Sequence, residues 1–159
     1  MGDMYQIGSW RELAQSEHSF DIELDRTALV CVDIQKKTVD RNAPRGMSKT
    51  IAARDPELAE WYFSKVENQV MPNVVRLQRF FRERGGRVMH FVVGPGQRDA
   101  SDMPFKFRHG YSRGLNAEEA GYVVKGDPEF EICDEVGPED GELVVHKVTM
   151  GGFTGTGMN

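Results

Sequence analysis

The sequence predicts an α/β domain, a three-layer, Rossmann-like parallel sheet with flanking helices that is incomplete within these 159 residues. Three observations predict it. Two apolar, β-branched runs, 27–34 (TALVCVDI) and Arg87–Val93 (RVMHFVV), have the continuous character of strands buried on both faces. A helix-period segment lies between them, and a third such run, 143–148 (LVVHKV), follows a long polar excursion.

Taken in order, residues 1–26 read as an N-terminal arm and 27–159 as the domain. In the arm, 10–14 suits one helical turn, and Phe20, Ile22 and Leu24 alternate with acids as an extended segment would. Residues 35–54 are basic and loop-like. Asp55, Pro56 and Glu57 then supply an N-cap, a proline at the first helical position and an acid in the first turn. Leu58, Trp61, Tyr62 and Val66 give that helix its apolar stripe. A break is expected at Pro72, after which Val74, Leu77 and Phe81 resume the spacing until Gly85 and Gly86 end it. Residues 97–119 read as a long polar loop, of the kind that forms lids or subunit contacts.

Strand–helix–strand–excursion–strand order gives a parallel sheet with the third, second and first strands side by side. That order leaves TALVCVDI, the most apolar strand, as an open edge, which natural proteins avoid. Something outside these residues is therefore expected beside it, either a second copy in a homo-oligomer or a complementing C-terminal segment.

Composition excludes several classes. Twenty Lys and Arg against 25 Asp and Glu give a net charge of −5, which argues against a nucleic-acid binder. No apolar stretch reaches the roughly 20 residues that cross a bilayer, and the start lacks a basic and apolar secretion signal, so no membrane partner is expected. Cys31 and Cys133 form no CxxC or Cys/His cluster, which suits a reducing cytoplasm and no structural zinc.

Three parallel strands share one carboxyl edge, where open α/β sheets bind ligands. The charged residues that interrupt apolar strand sequence at that edge are Asp33 and Lys147. A carboxylate in ALVCVD is costly to bury unless paired, and a lysine ending LVVHK is the matching cation if the two strand ends converge. The plainer alternative has Asp33 capping the next loop and Lys147 reaching solvent; pattern leaves both open. His90 and His146 sit in strands and read as core or supporting histidines. Arg98, Arg108 and Arg113 could meet a substrate carboxylate, though solvated loop charge explains them as well. GGFTGTG lacks the spacing of a phosphate loop.

Two stretches resemble a known family. TALVCVDIQKK resembles the first strand of isochorismatase-like cysteine hydrolases, an apolar run followed by Asp-x-Gln-Asn-Asp-Phe, here Asp33, Ile34, Gln35, Lys36, Lys37 and Thr38. Residues 128–156 resemble the family's turn, strand, Lys, small residue, Phe and Thr, with Pro138, Gly141, Lys147, Phe153 and Thr156 at matching places. The resemblance implies a hydrolase of small amide or carbamoyl compounds, with no cofactor. In that mechanism an Asp takes a proton from a cysteine thiol, a Lys favours the thiolate, and the thiolate attacks a carbonyl or nitrile carbon. By position Asp33 is the base and then acid, Lys147 its electrostatic partner, Gln35 and Phe153 pocket residues, and Thr156 the opening of a helix.

The departures carry meaning too. The family's cysteine follows a further helix and strand after the Lys, and 12 residues follow Lys147. Cys31 is too deep in an apolar run, on what strand alternation makes the same face as Asp33, and Cys133 is flanked by acids that suppress a thiolate. The nucleophile is thus expected outside this chain, and the chain alone to be inactive. Lys36, Lys37 and Thr38 replace the usual Asn, Asp and Phe. Asp99, Asp102 and His109 lack the metal-binding spacing of the zinc-dependent members, so no metal is expected. Two other readings stay open: a vinyl-ether-cleaving hydrolase in which the Asp protonates substrate without a cysteine, and an inactive structural or regulatory partner.

Overall fold

A computed structural model describes residues 23–112 and 122–158. The arm's residues 1–22, Arg113 and the side chain of His109 lie outside the described residues. Leu24 does not continue an extended segment, because Leu24–Arg26 is a 3-10 turn closed by the Thr27 amide on the Leu24 carbonyl.

The three runs form β1 (Ala28–Val32), β2 (Arg87–Val93) and β3 (Leu143–Lys147), a parallel sheet in the order β1-β2-β3. Register places Cys31 beside His90, Val32 beside Phe91, Phe91 beside Val145 and Val93 beside Lys147. The expected α/β class and strand order are therefore present, and β1 is an edge among the described residues.

The helices grow from local signals. Asp55 caps α3 (Pro56–Lys65), its carboxylate accepting from the Leu58 amide at 2.9 Å. The expected break at Pro72 does not occur. A π turn over Val66–Val70 widens the helix just before the proline, and Pro72 enters in the first turn of α4 (Met71–Glu83). The Met71 amide reaches back five residues to Val66, so the run bends its hydrogen-bond ladder around the ring instead of stopping. The loop expected over 35–54 holds two short helices, α1 (Lys36–Val39) and α2 (Met47–Ala52), and the excursion holds α5 (Phe105–Ser112). Helices of four to eight residues carry too little apolar periodicity to stand out in sequence.

Helix α4 packs across β1 and β2. Val39, Val66, Met71 and Val136 form one buried cluster, and Val92, Val123 and Phe130 another. Gln78 of α4 donates to the Cys31 thiol and the Val136 carbonyl, and Arg82 clasps Glu142 through two bonds of 2.8 Å while Glu142 also meets His90 at 3.3 Å. His90 thus belongs to the packed core. On the opposite face Phe91 lies under Gly152 and Phe153, the ring centroids 6.5 Å apart. Val30 and Val32, on that face of the edge strand, remain 41% and 51% exposed. Among the described residues no helix is long and apolar enough to cross a membrane.

Candidate active site

The carboxyl edge is built by β1 turning sharply at Asp33. Its φ of +60° places it in the left-handed region that a short polar residue tolerates, and its amide still bonds the Phe91 carbonyl at 2.9 Å. This breaks strand alternation, so the two-residue spacing from Cys31 no longer fixes a common face. The Cys31 thiol lies under α4 with Gln78, whereas the Asp33 carboxylate meets Lys147.

Neighbouring strands lie about 4.8 Å apart, so β1 and β3 are about 10 Å apart with β2 between them. The Lys147 stem spans that gap. Its Nζ lies 3.0 Å from Asp33 Oδ1 and donates to Oδ2 at 3.1 Å, with side-chain exposures of 2% for the lysine and 34% for the aspartate. Oδ1 is buried and, among the described residues, accepts no well-aligned hydrogen bond. The pair therefore couples a shielded ammonium to a carboxylate with one acceptor position unspent, the arrangement a proton-accepting group needs.

Gln35 and Thr38 fix the turn that follows. Gln35 is fully buried; its amide donates to the Phe130 carbonyl at 2.6 Å and accepts from the Val93 amide at 2.8 Å, tying the ends of β1 and β2 to the 128–132 segment. Both ends of that amide are occupied by backbone. The Thr38 hydroxyl donates to the Asp33 carbonyl at 2.7 Å, which holds the left-handed turn closed. Phe153 is 62% exposed above Phe91, and Thr156 donates to the Gly152 carbonyl and accepts from the Met158 amide, closing a turn.

Lys37 was not legible as a site residue. It projects from α1 to the same edge, donates to the Val93 carbonyl and stands 5.1 Å from the centre of the Phe130 ring. Burial pushes its amine down to about 8, with the like charge of Lys147 adding to the drop and Asp33 opposing it. Two glycines make room for it. A Cβ at Gly94, where φ is +146°, would stand 2.9 Å from Lys37 Nζ, and one at Gly46, where φ is +110°, would stand 2.3 Å from the Lys37 carbonyl oxygen.

The remaining candidates do not join the Asp33–Lys147 pair. Burial raises the thiol pKa of both Cys31 and Cys133; Glu135 and Asp134 push Cys133 further up. His146 meets the Gly94 carbonyl at 2.7 Å and stacks edge-on with Phe130. Arg98 pairs with Asp127, and the Arg108 carbonyl accepts from Tyr122. Asp102 and Asp99 accept from backbone amides of their own loop. Among the described residues no three His, Cys, Asp or Glu side chains gather where they could hold a metal ion.

Comparison with known proteins agrees with this fold. Solved structures that match include a cysteine hydrolase from Pseudomonas syringae pv. phaseolicola 1448A, 19% identical with a TM-score of 0.61 over 87% of this chain and 54% of that one. An isochorismatase family protein from Desulfovibrio vulgaris subsp. vulgaris str. Hildenborough is 25% identical, with a TM-score of 0.55 over 81% of this chain and 56% of that one. N-carbamoylsarcosine amidase from Thermoplasma acidophilum is 22% identical, with a TM-score of 0.51 over 82% and 57%. The chain spans little more than half the length of these structures. No curated protein matches it. The model of the isochorismatase domain matches residues 27–159, from the first residue of TALVCVDI to the last residue of the chain. On that match, which takes in Asp33 and Lys147, the chain belongs to the isochorismatase family.

Proposed function

We propose that this chain supplies the acid/base half of a cysteine hydrolase acting on the C–N bond of a small amide or carbamoyl compound. The Asp33–Lys147 contact carries the reading. Asp33 takes the proton of a thiol and later returns it to the departing amine; Lys147 stabilises the thiolate and the charge that develops on the attacked carbon's oxygen. The likeness to an N-carbamoylsarcosine amidase supports the substrate class.

The thiol comes from outside these 159 residues. Cys31 is enclosed under α4 and Cys133 beside acids, each with its thiol pKa raised, so neither is a ready thiolate. Gln35 acts as a brace of the pocket wall, and Phe153 as an exposed apolar wall beside Phe91. The substrate is a small molecule, and the open edge of β1 is where a second copy or a complementing segment pairs.

Ammonia release by the protein from its native source, before and after alkylation with iodoacetamide, tests this. The reading expects alkylation to abolish release and the label to map to a cysteine other than Cys31 and Cys133. Full activity with every thiol blocked would sink it. That outcome would favour a second reading, cleavage of a vinyl ether with Asp33 as the proton donor, which the absence of a thiol beside the pair among the described residues also favours.

A further inference from the structure

Among the described residues Lys37 is a cation with no ion-pair partner of its own. Lys36 pairs with Asp134, Arg41 with Glu60 and Glu67, Arg45 with Asp127 and Glu129, Arg82 with Glu142 and Arg98 with Asp127. Among the described residues no carboxylate lies within ion-pair distance of the Lys37 ammonium, whose contacts are the Val93 carbonyl and the face of Phe130. One carbonyl bond uses one of its three N–H donors. Among the described residues Asp33 is the carboxylate whose charge acts on it, and both of that residue's oxygens already lie about 3 Å from Lys147. The strand edge therefore carries two ammoniums for one carboxylate, an excess of one positive charge.

A part-buried, unpaired ammonium is costly, and a fold that holds one at its ligand-binding edge has a use for it. Gly94 packs against the ammonium itself and Gly46 against the Lys37 backbone and Cβ, so a side chain at either position would crowd this residue. We propose that Lys37 is the specificity-determining residue of the site and binds a carboxylate carried by the substrate. This rests on the amide or carbamoyl reading above and narrows it to compounds that also bear a carboxylate. A monoanion balances the excess charge, whereas a phosphate dianion exceeds it.

The pH behaviour follows from Asp33 and Lys147, the charges that act on Lys37, together with its burial. The amine is charged at neutral pH and loses its proton above about 8, so recognition fades in the alkaline range.

The full chain is titrated with N-carbamoylsarcosine and with its neutral methyl ester at pH 7 and pH 9.5, while 13C spectra of lysine-labelled protein follow the Lys37 ε-carbon. The acid is expected to bind about tenfold or more tightly than the ester at pH 7, a difference of about 1.4 kcal/mol. That preference should vanish at pH 9.5 and in Lys37→Met, survive in Lys37→Arg, and be accompanied by an upward shift of the Lys37 titration with the acid alone. Equal binding of acid and ester, a preference that persists in Lys37→Met, tighter binding of inorganic phosphate, or a Lys37 titration unmoved by any of these probes would overturn it. If Lys37→Met fails to fold, the wild-type titrations decide. Preferential binding of the acid by the protein from its native source, without ammonia release, would count against the hydrolase reading and leave this one standing.

Discussion

Lys147 reaches across the whole width of β2 to place its ammonium 3.0 Å from Asp33 Oδ1, 114 residues away in sequence. The contact joins the two outer strands at their carboxyl ends. It gives an asymmetric prediction, because the lysine side chain is 2% exposed and the aspartate 34%. Asp33→Asn strands a buried ammonium and is expected to cost about 3–5 kcal/mol. Lys147→Met leaves a carboxylate that can hydrate, and about 1–3 kcal/mol is expected. Urea unfolding of both variants checks the order; a larger loss in Lys147→Met would contradict it.

Lys37 predicts an unusual stability profile. Its folded pKa, about 8, lies below the ordinary 10.5, so the unfolded chain binds more protons between those values and stability rises with pH across that window. Below pH 8 the penalty is present in full. Lys37→Met is expected to stabilise the fold by about 1–3 kcal/mol at pH 7 and to flatten that alkaline rise. Thermal melts from pH 7 to 10.5 read both effects, and a variant that melts lower than the parent at pH 7 would contradict them. The same residue would then bind ligand at the expense of stability.

Glu142 predicts the opposite limb. The Arg82 guanidinium holds its carboxyl down at about 2, against an ordinary 4.5, with His90 and the Glu139 amide also bonding it. This stabilisation is complete above pH 4.5 and is lost as pH falls towards 2. Glu142→Gln should lower stability at pH 7, bring it closer to the parent's near pH 2, and loosen α4 from β3. Hydrogen exchange at the amides of α4 and β3 measures the loosening, and unchanged protection would refute the clasp.

Val30 and Val32 lie half exposed on an edge strand, where a second strand can pair. The chain alone is expected to associate as its concentration rises, and Val32→Lys to suppress that without lowering the melting temperature. Sedimentation of both proteins decides; a strictly monomeric parent would show that the edge is harmless.

Asp33 and Lys147 were legible because each interrupts an apolar strand, so its charge stands out against its background. The strand order and the open β1 edge followed from the same runs. Lys37 was not legible, because it sits in the polar run QKKT and only the packing of Val93, Gly94 and Phe130 around it turns an ordinary lysine into a site residue. Pro72 misled because the π turn that absorbs it leaves no mark in the sequence. Helices α1 and α2 were hidden by their shortness, and the left-handed turn at Asp33 undid the alternation that would have placed it beside Cys31.

In the proposed hydrolase Asp33 moves the proton. Ammonia release from carbamoyl compounds by the native protein and its Asp33→Asn form, followed across pH, tests it most directly. A loss of about 100- to 10,000-fold in kcat is expected. An Asp33→Asn protein that folds and turns over at the parent's rate with the same profile would contradict it.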